Sequence, residues 1–268
     1  MKSILFTLAG LLLVTATCFG IVSDDKSVLT EKRNVSDFNQ LIISGPYKVT
    51  VEIGKKASLE IRASKSMMEY CKSEVNNGVL RVYLDTPSHF RWNNLTLEAY
   101  ITVDYLTSVQ MGGASKMTWN GAMKTDQWKL DVGGASKFET SSPLTFKNCQ
   151  IRVGGASKAD LNGKIVTEDL NINVGGASRA NVTVEARITD VSVNGASHLD
   201  ISGFSVGMNA KASGASHLSA ENFLCETIDA EASGASSASV NAKKSVIGRK
   251  TGASNIRVSG NPANVDLR

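Results

Sequence analysis

Six side chains that carry or can take up a positive charge recur at one offset in this chain: Lys116, Lys137, Lys158, Arg179, His198 and His217. Two residues after three of them stand Glu139, Asp160 and Asp200. Stacked in register, the first set would form an exposed stripe able to hold an acidic glycan or a lipid phosphate. The second set would pair with much of it along or across strands and leave little beyond solubility and register. His198, His217 and Asp200 offer a metal ion two imidazoles and a carboxylate, an incomplete set without partners to orient it. Neither a metal nor an organic cofactor is expected. Glycoside hydrolysis needs two carboxyl groups about 5 Å or about 6.5–9.5 Å apart. Glu139, Asp160 and Asp200 share a face, but each fills the ordinary outward position of its segment, whereas a catalytic site breaks local structural logic. The pattern points to a chain that is not an enzyme, with a polysaccharide lyase or hydrolase as the rival class. Phe90 and Trp92 stand between Pro87 and Asn94. There they either meet a ligand from a loop on a rigid scaffold or cover an edge of the core.

The elements that would position these residues follow from a repeat. Gly-Ala-Ser occurs with its glycine at Gly113, Gly134, Gly155, Gly176, Gly195, Gly214, Gly234 and Gly252, in steps of 21, 21, 21, 19, 19, 20 and 18. A period near 20 belongs to solenoids, in which each unit buries its apolar side only against its neighbours. The leucine framework of leucine-rich repeats is missing, and helix-pair repeats need more than about 30 residues. Leu130 and Val132, Ile151 and Val153, Ile172 and Val174 alternate with polar residues before the corner, and Met117, Phe138, Leu199 and Leu218 continue the alternation after it. A period of two is a strand pattern. Each unit reads as a strand, a tight corner, a second strand and a short closing segment, which together make one coil of an all-β, single-stranded parallel β-helix.

The corner residues have separate expected roles. The Gly-Gly pairs, from Gly112-Gly113 to Gly175-Gly176, allow positive φ at the bend, and Asn194, Ser213 and Ser233 replace the first glycine later. Alanine, as at Ala156 and Ala177, is expected to point a methyl group into a narrow corner. Serine is expected to form a ladder to backbone groups or to the serines of adjacent coils, about 4.8 Å away. Residues 31–110 lack the triplet but keep strand grammar and are read as irregular first coils; residues 111–268 are the repeat coils.

Residues 1–20 carry Lys2, an apolar run from Ile4 to Val14 and small residues at Ala16, Thr17, Cys18 and Gly20. That is a signal-peptide layout, and its apolar core is short of the roughly 20 residues needed to span a bilayer. The mature chain is expected to begin near Ile21, with a linker over 21–30, no transmembrane span, and a place at the cell surface, in the periplasm or outside the cell. Acylation of Cys18 is the second reading, since Thr15-Ala16-Thr17 lacks the usual residues before a lipoprotein cysteine. The remaining Cys71, Cys149 and Cys225 are odd in number, so at least one stays unpaired, and all three read as small buried hydrophobes. The net charge of +4 comes from 29 basic and 25 acidic residues spread along the chain, which argues against a nucleic-acid partner.

The opening Arg33-Asn34-Val35-Ser36-Asp37-Phe38, the segment Val75-Asn76-Asn77-Gly78-Val79-Leu80 and the string of Gly-Ala-Ser corners ending in Val258-Ser259-Gly260-Asn261-Pro262 resemble the auto-transporter adhesin head GIN domain family. The resemblance covers residues 31–268. It implies a right-handed parallel β-helix at the cell surface or in the periplasm but supplies no ligand; a glycan or a surface protein held on an extended face is the partner expected of such a scaffold. It carries no catalytic motif over, and fold alone does not set function.

Overall fold

The computed structural model describes residues 27–87 and 95–268. The signal-peptide segment with Cys18, and Phe90 and Trp92, lie outside the described residues. Strands β1 (Val28–Arg33), β2 (Gln40–Ser44), β3 (Lys48–Ile53) and β4 (Ser58–Ser64) lead to the one-turn helix α1 (Lys65–Met68). Then come β5 (Cys71–Asn76), β6 (Val79–Leu84) and β7 (Leu97–Val103). The first repeat coils are β8 (Ser108–Gly112) with β9 (Lys116–Asn120) and β10 (Met123–Lys124), then β11 (Gln127–Val132) with β12 (Lys137–Thr140) and β13 (Leu144–Thr145). After β14 (Asn148–Val153) the closing segments merge into long strands, β15 (Lys158–Val174), β16 (Arg179–Val193), β17 (His198–Ala212), β18 (His217–Ala232) and β19 (Ser237–Lys250). Strands β20 (Asn255–Gly260) and β21 (Asn264–Leu267) form the last coil.

The coils stack in parallel, each residue over its equivalent one period away: Leu130 pairs with Ile151, Ile151 with Ile172 and Ile172 with Val191. The chain is a parallel β-solenoid, and its alternating residues decide which side of each strand faces the core. The interior changes along the axis. Near the first coils it is aromatic, with Trp128 stacked on Phe146 at 5.1 Å and edge-on to Trp119 at 6.4 Å. Further on, Ala210, Ala212, Ala220, Ala230 and Ala232 fill it. Close packing then requires a thinner coil, which agrees with the shorter repeat steps in that half.

Residues 28–103 join the same sheet but not as successive coils. Strands β2 and β3 lie parallel against β8 and β9 on one side, with Leu41 beside Val109 and Val49 beside Met117. They lie parallel against β6 and β7 on the other. The turn of chain from 40 to 53 is thus inserted between the 79–103 segment and the first Gly-Ala-Ser coil. Beyond it the direction reverses: β4 is antiparallel to β7, β1 to β4, and β5 to β6. Met67 and Met68 of α1 are buried there. Antiparallel strands and a helix at this end cover a core that another parallel coil would leave open.

The corner corrects two expectations. Ala114, Ala135, Ala156, Ala177, Ala196, Ala215, Ala235 and Ala253 face solvent, and the serine after each of the first seven is buried. Only the second glycine of each pair has positive φ, 74° at Gly155, and a Cβ there would lie 3.1 Å from the backbone nitrogen of Gly134. Gly154 has neither feature. The reason lies in the bend: a residue with positive φ turns the chain, and the side chain two residues on is directed inward, where a hydroxyl can reach the carbonyls exposed by the turn.

Candidate functional site

The buried serines make the ladder that the sequence suggests. Ser115 Oγ donates to Ser136 Oγ at 3.2 Å, and the Ser136 N–H donates to Ser157 Oγ at 3.2 Å. Ser157 Oγ donates to the Gly134 carbonyl and Ser178 Oγ to the Gly155 carbonyl, each at 3.3 Å. In later coils Ser216 and Ser236 donate to the carbonyls of Val193 and Ala212. These bonds satisfy the bend from inside and remove the corner serines from any surface chemistry.

Surface chemistry therefore belongs to the outward columns. Lys116, Lys137, Lys158, Arg179, His198 and His217 stand in register in consecutive coils. Two members of the column are not evident from the repeat. Lys48 lies beside Lys116, and Glu98 lies beside Lys48. Only the insertion of β3 next to β9 brings them there, and no spacing in the sequence signals it.

The lysines are engaged. Glu139 receives Lys137 and, at 3.0 Å, Lys116, while Asp160 receives Lys158 at 2.9 Å. Hydrogen bonding from Lys137, then Lys116, holds the Glu139 carboxyl below its ordinary range, and the same bond raises the Lys137 ammonium. Lys48 is 3.4 Å from Glu98. His198 Nε2 lies 2.9 Å from Asp200, and its ring stacks on His217 with centroids 4.8 Å apart. Among the described residues Arg179 makes no ion pair. The stripe thus alternates cation with carboxylate over its first half and ends in Arg179 and the stacked imidazoles.

The corner glycines, Gly113 to Gly252, form a second column, and from Gly113 to Gly214 their backbone carbonyls receive the alanine N–H of the next corner, as in Ala156 to Gly134 at 2.8 Å. The cysteines are buried and free. Burial raises all three thiols, Cys225 to about 12. They are core residues. No helix among the described residues is long and apolar enough to cross a membrane.

Stacked coils with engaged charge columns and corners closed from inside by serine hydroxyls define a parallel β-solenoid. The family described as "Putative auto-transporter adhesin, head GIN domain" matches residues 37–167 and 149–262, and the chain belongs to it. A solved "putative adhesin" of Parabacteroides distasonis is similar with a TM-score of 0.66 and 17% identity, over 91% of this chain and 98% of that one. Another from Parabacteroides merdae has a TM-score of 0.65 and 18% identity, over 91% and 94%. A "putative lipid binding protein" of Parabacteroides distasonis has a TM-score of 0.58 and 13% identity, over 91% and 98%. At these identities the likeness carries the fold alone. Among curated proteins none matches.

Proposed function

We propose that this chain is a noncatalytic, exported adhesion or interaction scaffold that holds a glycan or a surface protein against an extended outer face. Membership of the adhesin head family is the observation that carries this reading. The carboxylate chemistry supports it. A general acid must keep its proton near neutral pH and so needs a raised pKa, whereas Glu139 is held ionised by two lysines. The signal-peptide layout supports export to the surface, the periplasm or the medium.

Incubating the exported chain with immobilised acidic and neutral polysaccharides and with surface proteins tests the reading. Retention without release of sugar supports it. Release of new reducing ends or unsaturated sugars would establish the enzyme class instead, and retention by nothing on a broad panel would leave a purely structural envelope protein. Cell fractionation then assigns the compartment.

A further inference from the structure

A shallow depression of about 430 Å³ lies on the outside of the solenoid, where successive coils enter the strand that leads to the corner. Trp128, Cys149 and Leu170 are in register along its floor. Two columns of polar side chains line it, Gln127, Asn148 and Asp169 in one and Lys129, Gln150 and Asn171 in the other. Asp169 is occupied by Arg187 at 2.6 Å. The side-chain amides of Gln127, Asn148, Gln150 and Asn171 have no partner among the described residues. Amides elsewhere on the coils are of both kinds: Gln110, Asn162, Asn173 and Asn222 are likewise unpartnered among the described residues, whereas others are engaged. Asn120 donates to Glu52, Asn181 to Asp160, Asn209 to Asp190, and Asn241 to the Glu221 carbonyl, each in a neighbouring coil.

We infer that this depression binds a neutral glycan chain laid across the coils. An amide presents a donor and an acceptor in one plane without charge, which matches a sugar hydroxyl that both gives and accepts a hydrogen bond. Gln127 is in register with Asn148 in one column and Gln150 with Asn171 in the other, so each column repeats the same pair of groups once, about 4.8 Å along the stack. One sugar of an extended polysaccharide advances by a similar step, so successive rings meet equivalent amides. An acidic polymer is a poorer fit, because Lys129 is the one cation in the depression and the arginine beside it is taken by Asp169. Trp128 is only 2% exposed and gives no stacking platform, so recognition rests on hydrogen bonds. Affinity then accumulates over several sugars.

The inference rests on the binding-scaffold reading and names its ligand class. Affinity electrophoresis of the exported chain in gels containing mixed-linkage β-glucan, galactomannan or xyloglucan, beside polygalacturonate, tests it. At least one neutral polysaccharide should retard the chain, and Gln150→Ala with Asn171→Ala should weaken that retardation at least tenfold. Lys211→Ala should leave it unchanged, and thermal melts of the double variant, Lys211→Ala and the unsubstituted chain should match, since Asn171 and Lys211 are exposed and the Gln150 amide has no partner to lose. Retardation by polygalacturonate alone, retardation that survives the double substitution, or none in any neutral gel overturns the glycan site. Loss of binding to a surface protein in the same double variant, without any glycan effect, also overturns it and reassigns the depression to a peptide ligand. The scaffold reading fails separately, only if the chain binds nothing on the wider panel.

Discussion

Ser157 lies inside the corner and donates its hydroxyl to the Gly134 carbonyl of the preceding coil at 3.3 Å, while accepting the Ser136 N–H at 3.2 Å. Ala156 beside it faces solvent. Ser157→Ala should therefore leave the Ser136 N–H buried without a partner and cost about 1–3 kcal/mol. Ala156→Leu should stay within about 0.5 kcal/mol, as expected of a surface change. Urea unfolding of both variants checks the pair; a large loss in Ala156→Leu with none in Ser157→Ala would reverse the corner assignment.

The two glycines of one bend should respond differently. Gly155→Ala places a Cβ against the Gly134 backbone and forces a side chain into positive φ, worth at least about 1–2 kcal/mol. Gly154→Ala meets nothing within 4 Å and should be neutral or slightly stabilising. Thermal melts of the two single variants separate these outcomes.

Glu139 gives a pH signature. Its folded-state pKa lies below its unfolded value, near 4.3 for an ordinary glutamate, so its contribution is present above that pH and is lost as pH falls through the depressed folded value. The pair is about one-third exposed, so the whole effect should not exceed about 1 kcal/mol. Melting temperatures of the native protein and Glu139→Gln should differ at pH 7 and converge towards pH 3. A constant difference would place the role of Glu139 in packing.

The thiols should be silent in the folded state. Burial raises Cys71 and Cys149 as well as Cys225, which is pushed up to about 12. The thiolate is the reactive form. A thiol reagent at pH 8 should label none of the three in the native protein and all three in guanidinium. Rapid native labelling of Cys149 would mean that the floor of the amide-lined depression opens to solvent.

The sequence by itself determined the solenoid and the register of its columns, because a period near 20 and a polar–apolar alternation are local properties that stacking repeats unchanged. Lys116 to His217 and Gly113 to Gly252 could be aligned from spacing alone, and so could the pairing of lysines with Glu139 and Asp160. Even the amides at 127, 148, 150 and 171 obey that spacing; what spacing cannot tell is which amides are already bonded to a neighbour. Tertiary structure alone decided three matters. It turned serine inward and alanine outward, because the direction of a side chain after a positive-φ residue depends on the three-dimensional course of the bend. It placed Lys48 beside Lys116, because β2 and β3 are inserted out of chain order by a pairing between segments about 68 residues apart. It closed the first end with antiparallel strands and α1, because only the assembled stack has an open apolar end to cover.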